Sequence, residues 1–482
     1  MPPVESVFAQ QSWARQVIYR LSRSAVAWSF VATGMRFGSA AFVLPLILRR
    51  VPPEELGLWY VFLSLGYVTS LLDLGFASAV LRSAAYVWAG ARKLLPWGID
   101  RVATEENLQP DSRNLPLLAD LVASLRLYYF VVGVAVFAVL TICGGAWIWH
   151  KSVLLPNRQS LRAAFLVYAL SVSLNFAYSI WGYLLSAVNG VRQSQQILIA
   201  SLATYYLIAV TGLLLGLKIW AVVLGVLVMG VTERLLGRAV FNRLAPLPRG
   251  QFRWDIIRTL WPNAWRAGAV SFGIFLILQA NTLICSAFLD LKTTASYGLS
   301  LQAATLLVGV SSVWVTVKWP VINHLRARSR LYEIAALFAK RVRLAVLTFI
   351  AGGSALVAVG PSLLAILKAQ THFLPTAALI GLLVVQLLEM HHSLYAGLVY
   401  SENVNPFLKP ILISGFAIVL ISILLVPRIG IWGLVLSAGV VQLAFNNWWS
   451  VLRGVRGLGQ ASHDYWLIFF GKRTGTAEPQ TS

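Results

Sequence analysis

The chain has 482 residues, 58% of them hydrophobic and only 12% charged, with a formal net charge of +22. A soluble protein carries about 25% charged residues, and apolar runs of about 20 residues, long enough to span a bilayer as helices, recur from end to end. A soluble globular class is therefore excluded, and the absence of ten-residue alternating segments argues against an outer-membrane barrel. The expected class is an all-α polytopic membrane protein.

The loops decide what the basic balance means. In a soluble protein it would suggest nucleic acid; here it reads as the positive-inside bias plus attraction to anionic lipid heads, and no nucleic-acid partner is expected. Cys143 and Cys285 each sit in an apolar run, so neither a disulfide framework nor a metal spacing is present. Arg15, Arg20 and Arg23 precede a first apolar run of about 24 residues, longer than a signal-peptide core. That run reads as a retained first helix behind a cytoplasmic segment, residues 1–24.

Twelve spans are predicted, at residues 25–48, 56–81, 127–149, 163–188, 195–217, 219–240, 263–289, 294–317, 344–367, 373–400, 410–426 and 431–452. With the N-terminus inside, 29 of the 39 Lys and Arg fall on the cytoplasmic side, nine fall opposite, and Arg36 lies within a span. The bias supports both the number of spans and their orientation. Cytoplasmic loops at 82–126, 241–262 and 318–343 are long, the outer turns are short, and a polar tail follows at 456–482. The 318–343 stretch reads either as an amphipathic helix with Leu325, Leu331, Ile334 and Leu337 toward lipid or as a solvated linker.

Six helices return the chain to its starting side, so a second block of six would repeat the first in parallel orientation. The expected lobes are 25–245, helices 1–6, and 246–455, helices 7–12. A shift of about 230 residues places Arg36 and Gly38 on Arg266 and Gly268, Phe42 on Phe272, and the run 46–48 on 276–278. The Arg-x-Gly match is the informative part, because apolar helices coincide by chance. The stretch from Lys218 to Ala221 also resembles that from Gly430 to Gly433.

Charges within apolar runs mark candidate sites, since each costs about 2.5–3.5 kcal/mol at membrane depth on insertion scales. Arg36 lies between Gly34 and Gly38. The glycine face is expected to pack on a neighbouring helix while the guanidinium faces a cavity. Its planar fork suits a phosphate or diphosphate; the alternative is a structural ion pair with Asp73. Asp73 shares a helical stripe with Gly66, Thr69 and Ser70 and reads as the neutralising partner of Arg36 or as a coupling site. Arg266 is either a second cavity arginine or a snorkelling one, with Pro262 kinking the helix before it.

In the tenth span Gln386, Glu389 and His392 stand three residues apart, with His391 beside them. They read as cavity lining, with Glu389 a coupling or ion-pair group, or as helix-packing hydrogen bonds. Further candidates are Asn175, Tyr178 and Trp181 in the fourth span, Gln279 and Asn281 in the seventh, and Gln302 in the eighth. Aromatics there could stack on sugar rings, or belong to interfacial belts. No metal-ligand spacing, Walker A, His-Glu-x-x-His, Gly-x-Ser-x-Gly or dinucleotide motif occurs, so neither an enzyme nor a resident cofactor is expected.

Several of these residues carry a family resemblance. Arg36, then Leu44 and Pro45, the stretch from Pro53 to Trp59 (PEELGLW), the stretch from Leu72 to Phe76 (LDLGF), and Arg82 resemble the N-terminal half of bacterial polysaccharide flippases. These are the O-antigen and exopolysaccharide transporters of the multidrug/oligosaccharidyl-lipid/polysaccharide (MOP) superfamily. Tyr297 and Gly298, Trp319 and Pro320, and the stretch from Ile429 to Gly433 extend the likeness less specifically. The resemblance implies a MATE-like, V-shaped transporter with a basic cavity, in the bacterial cytoplasmic membrane with both termini inside. It implies transfer of an undecaprenyl-diphosphate-linked oligosaccharide, proton or sodium as a coupling ion, and a polysaccharide polymerase and a chain-length regulator as partners alongside membrane lipids. The family often has an Asp in the seventh helix where this chain has Gln279 and Asn281, which removes the basis for acid-dependent coupling there. Two other readings remain: a cation-coupled multidrug or solute exporter of the same superfamily, which would favour an acidic cavity, and a membrane glycosyltransferase or polymerase, which would need larger outer loops.

Overall fold

The computed structural model describes residues 24–67, 69, 71, 73, 75–96, 113–402, 404, 406–459 and 462–470. Among these the chain is helical throughout, without a strand. In order the helices are α1 (Ala25–Arg50), α2 (Pro53–Gly66), α3 (Phe76–Trp88), α4 (Leu115–Val139), α5 (Gly145–Lys151), α6 (Arg158–Ala177), α7 (Ile180–Ala187), α8 (Val191–Leu214), α9 (Ile219–Leu244) and α10 (Trp254–Leu278). They continue as α11 (Ala280–Phe288), α12 (Leu291–Thr316), α13 (Trp319–Ala327), α14 (Leu331–Ile366), α15 (Thr376–Tyr400), α16 (Leu408–Ile429), α17 (Ile431–Val441), α18 (Asn447–Arg456) and α19 (Ser462–Phe469). One π-turn (Leu140–Gly144) joins α4 to α5 and another (Gln442–Asn446) joins α17 to α18.

Each of the twelve expected spans is occupied by one of these helices or by two in succession. Eight of the described stretches are long and apolar enough to cross a membrane, nine if the bent pair α10–α11 is one span. Caps explain several starts: Asn114 accepts from the Leu117 amide, and Asp290 from the Thr293 amide at 2.8 Å. Three helices run well past the expected spans into basic segments. α4 begins at Leu115 rather than 127, α10 at Trp254 rather than 263, and α14 at Leu331 rather than 344.

This corrects the reading of 318–343. The stretch is neither a lipid-facing surface helix nor a solvated linker. It holds α13 and the first turns of α14, where Ile334 is fully buried and Leu325, Leu331 and Leu337 pack against the same core. The second span also departs from expectation, because turns at Tyr67, Asp73 and Gly75 interrupt it, with Thr69 and Leu71 helical between them. Gly75 adopts φ +71°, and a Cβ there would lie 2.2 Å from the Ala267 Cβ and 2.7 Å from the Ala264 carbonyl oxygen. The break therefore rests on the close approach of a glycine backbone to α10. Of the expected stripe, Gly66 and Thr69 are helical, Asp73 lies in a turn, and Ser70 lies outside the described residues. A 41° bend falls at Gln279, between α10 and α11, and Pro262 lies inside α10.

Packing divides the chain into two units. The first comprises residues through Val51 together with Leu65–Ser271, and the second Pro52–Ser64 together with residues from Phe272 onward. In the first, α1 packs on α8, α8 on α9, α9 on α6, α6 on α4, and α3 on α7; Phe76, Leu121, Tyr129, Leu184 and Phe241 form its centre. In the second, α12 packs on α14 and α15, α11 on α16, α16 on α17, and α15 on α18, around Phe338, Val342, Met390, Tyr395 and Tyr465.

The sequence similarity between Lys218 and Gly430 extends to the backbone. Lys218 has φ 50°, ψ −125°, and Gly430 has φ 59°, ψ −134°. Each precedes an Ile-Trp pair that opens a helix, and each carbonyl accepts from the amide three residues on, Ala221 or Gly433. Only glycine takes this conformation without strain, which costs other residues about 1–3 kcal/mol. Gly430→Ala is therefore expected to lower stability by about 1–3 kcal/mol, whereas Lys218→Gly should leave it unchanged or raise it by up to about 1 kcal/mol. Thermal unfolding of the purified protein in detergent measures both; a Lys218→Gly loss matching that of Gly430→Ala would contradict the shared strain.

Candidate functional site

The first unit holds a carboxylate at the interruption of the second span. Asp73 Oδ1 accepts from the Tyr129 hydroxyl at 2.8 Å, and Oδ2 accepts from the Ala77 amide at 3.1 Å. The side chain thus closes the otherwise orphaned first turn of α3 while α4 supplies a second donor. Tyr129 is fully buried, its ring 5.3 Å from that of Phe176, and the neighbouring Tyr128 ring lies 4.3 Å from Phe76.

The expected Arg36–Asp73 ion pair is not formed among the described residues. Asp73 is satisfied locally by a tyrosine and a helix amide, so its charge does not need the arginine. Arg36 is exposed, about midway along α1. Beside it, the Tyr206 hydroxyl of α8 donates to the Met35 carbonyl. The glycine expectation divides: a Cβ at Gly38 would meet Tyr206, whereas one at Gly34 would meet nothing within 4 Å.

Arg266 is also exposed, on α10 next to the Ala267 that touches Gly75, and its guanidinium carbon lies 5.8 Å from the Trp265 ring centroid. Packing assigns Arg266 to the same unit as Arg36. Asn175 is half-buried, its amide pressed against Gly230, where a Cβ would lie 1.8 Å from Oδ1. Tyr178 is exposed at the short break between α6 and α7. Trp181 is buried against Phe241 rather than open to a ligand.

The second unit holds a separate polar cluster around the π-turn of its last span. The Gln442 amide donates to Glu389, and His392 Nδ1 lies 3.7 Å from Glu389 Oε2. His391 and Asn447 are joined at 2.7 Å, and the Asn447 amide donates to the Leu388 carbonyl at 2.8 Å. Ser414 donates to Asn446. Glu389 and His392 are thereby brought together, while Gln386 stands half-buried on the same helix. Gln302 is placed apart from them, accepting from the Tyr60 hydroxyl at 2.7 Å.

At the bend, Gln279 accepts from Ser64. Asn281 lies in a buried network, accepting from Ser422 at 2.9 Å and facing the Leu434 carbonyl. No group of three metal-binding side chains occurs among the described residues.

Neither a family model nor a curated protein sequence matches the chain. Solved structures do. A multidrug resistance MATE family transporter of the MOP superfamily, inward-facing, superposes with a TM-score of 0.63 at 10% identity, covering 88% of this chain and 95% of that one. The lipid II flippase MurJ, inward closed, gives 0.60 at 11%, covering 92% and 90%. An outward-facing MATE family transporter of the MOP superfamily gives 0.54 at 12%, covering 92% and 96%.

The chain has the MATE-like fold. At these identities the likeness establishes architecture alone. Within that fold, the residues that sequence reasoning missed are Tyr129, Gln442, Asn446, Asn447 and Tyr206. An amide-rich patch in an apolar last span signals the middle three, and π-turns recur at functional positions. The two tyrosines carry no such signal, because a tyrosine in an apolar run equally suits a core or a belt.

In this MATE-like fold the Asp73–Tyr129 contact is expected to couple energetically. A double-mutant cycle of Asp73→Ala and Tyr129→Phe should give an interaction energy of about 1–2 kcal/mol by thermal unfolding. The cycle of Asp73→Ala and Arg36→Ala should give none; the reverse pattern would restore the ion pair.

Proposed function

We propose that this chain flips an undecaprenyl-diphosphate-linked oligosaccharide, an O-antigen or exopolysaccharide repeat unit, across the bacterial cytoplasmic membrane by alternating access. The observation that carries the reading is Arg36. It is an exposed guanidinium about midway along an apolar helix, and the nearest acid in sequence that lies in a span, Asp73, is occupied by other donors. An arginine at such a depth with no acidic partner among the described residues marks a cavity or a ligand path, and a planar fork matches a diphosphate. The fold shared with a protein named as a lipid II flippase supports the same substrate class.

In this reading Arg36 and Arg266 hold the diphosphate. Asn175 and Tyr178 in the first unit, and Gln302, Gln386 and His392 in the second, serve sugar hydroxyls. Glu389, held by Gln442 beside His392, is the group placed to exchange a proton or bind sodium. Asp73 serves as a helix cap rather than as a coupling site. Both termini lie in the cytoplasm, no covalent chemistry is performed, and a polymerase and a chain-length regulator act on the delivered unit.

The likeness to a multidrug MATE transporter favours a second reading, cation-coupled export of drugs or other solutes. Exposed arginines oppose it, since they repel cationic drugs.

Deleting the gene is expected to abolish the surface polysaccharide and to accumulate its lipid-linked repeat unit on the cytoplasmic side. Complementation with Arg36→Ala, at matched expression, should restore about a tenth or less of export, because a charge-assisted pair contributes about 1.5–3 kcal/mol. Arg36→Lys should restore an intermediate level. Surface polysaccharide that persists in the deletion strain would refute the flippase reading, and full export by Arg36→Ala would remove Arg36 from the substrate site.

A further inference from the structure

Between α14 and α15 the second unit has a groove of about 420 Å³. α14 lines it with Phe349, Gly353, Ser354 and Val357, and α15 with Leu383 and Leu387. Small residues make the space: a Cβ at Gly353 would touch only the Leu383 side chain, at 3.7 Å. Ile350 and Val384 on the rim are exposed, so the groove opens at the surface of the unit. Both helices are long and apolar enough to cross a membrane. α14 carries no charged residue from Leu344 to Ile366, and Leu347, Val359 and Leu363 are exposed along it. An exposed face of this composition belongs against lipid chains and not against a watery cavity.

A cation stands below the groove on the same helix. Arg343 precedes Ile350 by seven residues, Gly353 by ten and Val357 by fourteen, the spacing of one helical face. At about 1.5 Å per residue the groove starts about 9 Å from Arg343 along the axis and ends about 21 Å from it. The hydrocarbon of one leaflet is about 15 Å deep, half of a bilayer core. The groove therefore lies where a chain anchored beside Arg343 would run. Lys368, at the other end of α14, is farther from it.

Arg343 is half-buried, and its guanidinium has no hydrogen bond or ion pair among the described residues. The acid before it in sequence, Glu333, is paired with Arg330. No further Asp or Glu occurs until Glu389, which is held by Gln442. Lys340 and Arg341 add two cations to the same end of α14.

We propose that this groove binds one anionic phospholipid, with an acyl chain between α14 and α15 and the phosphate at Arg343. The apolar lining takes the chain, and the guanidinium gives the phosphate a charge-assisted hydrogen bond. Under the positive-inside orientation the lipid belongs to the cytoplasmic leaflet. A single cation suits a single phosphate. The site lies wholly within the second unit and does not depend on the transported substrate, so it stands or falls separately from the flippase reading.

The full chain in lipid nanodiscs tests it. Phosphatidylglycerol and phosphatidylcholine, each with a diazirine near the end of one acyl chain, are supplied in equal amounts, and the peptides labelled on irradiation are identified by mass spectrometry. Phosphatidylglycerol should label residues 349–357 or 380–387 in preference to phosphatidylcholine. Arg343→Gln should lower the phosphatidylglycerol label about fivefold, the contribution of one cation at an anionic surface, and leave the phosphatidylcholine label unchanged. Ser354→Phe, which fills the groove, should lower labelling there by both lipids. Equal labelling of the unsubstituted protein by the two lipids overturns the proposal, and so does an unchanged label in Arg343→Gln. Displacement of the phosphatidylglycerol label by an equal amount of a polyprenyl diphosphate also overturns it, by assigning the groove to the tail of a transported lipid. If Arg343→Gln misfolds, the preference of the unsubstituted protein and the Ser354→Phe variant still decide.

Discussion

A carboxylate in an apolar span has to find donors, and the way Asp73 finds them shapes the first unit. Its donors are the Tyr129 hydroxyl and the Ala77 amide. The second of these requires that a new helix start at residue 76, so the span cannot run straight through. The start in turn needs the left-handed Gly75, whose bare backbone lets Ala264 and Ala267 of α10 approach. One half-buried carboxylate is thus tied to a helix break, a tyrosine position on α4 and the seat of the helix that carries Arg266. It also leaves the Arg36 charge uncancelled by that acid, and this is the basis for reading Arg36 as an anion-binding group.

The second unit handles its polar groups differently. One group of its amides and hydroxyls is gathered at a π-turn, where Gln442 and Asn446 turn inward to meet Glu389 and Ser414. A π-turn widens the helix locally and re-aims side chains that a regular helix would spread around its surface. The repeat relates the two halves most clearly away from the groups read as holding the transported substrate, at the matching backbone of Lys218 and Gly430. α1 and α10 also coincide within two residues after the shift of about 230 that aligns Arg36 with Arg266. Elsewhere the halves have diverged in how they satisfy polar atoms.

What was legible in the sequence follows from range. Apolar runs dictate helices locally, so all twelve stretches were readable from composition and length. The ends were less so, because α4 and α14 continue through basic segments that look like loops. They continue because residues such as Ile334 and Phe338 are buried against distant helices, and tertiary burial overrides local polarity. Charges in the wrong solvent were easy to see, but their partners were not. Arg36 is the acid's obvious counter-charge in sequence, whereas Tyr129, 56 residues from Asp73, is one aromatic among many. The same holds for Glu389, whose partner Gln442 lies 53 residues away.

The central claim is that the molecule moves a lipid-linked diphosphate sugar. It is tested most directly with purified protein in proteoliposomes that contain a fluorescent polyprenyl-diphosphate saccharide, read by the fraction that becomes reachable to a membrane-impermeant quencher. The account predicts faster exchange between leaflets than in protein-free vesicles. It also predicts that an otherwise identical polyprenyl monophosphate is moved more slowly, and that a cationic dye is not transported. Transport of the dye without exchange of the diphosphate lipid would contradict the account and point to a solute exporter built on the same fold.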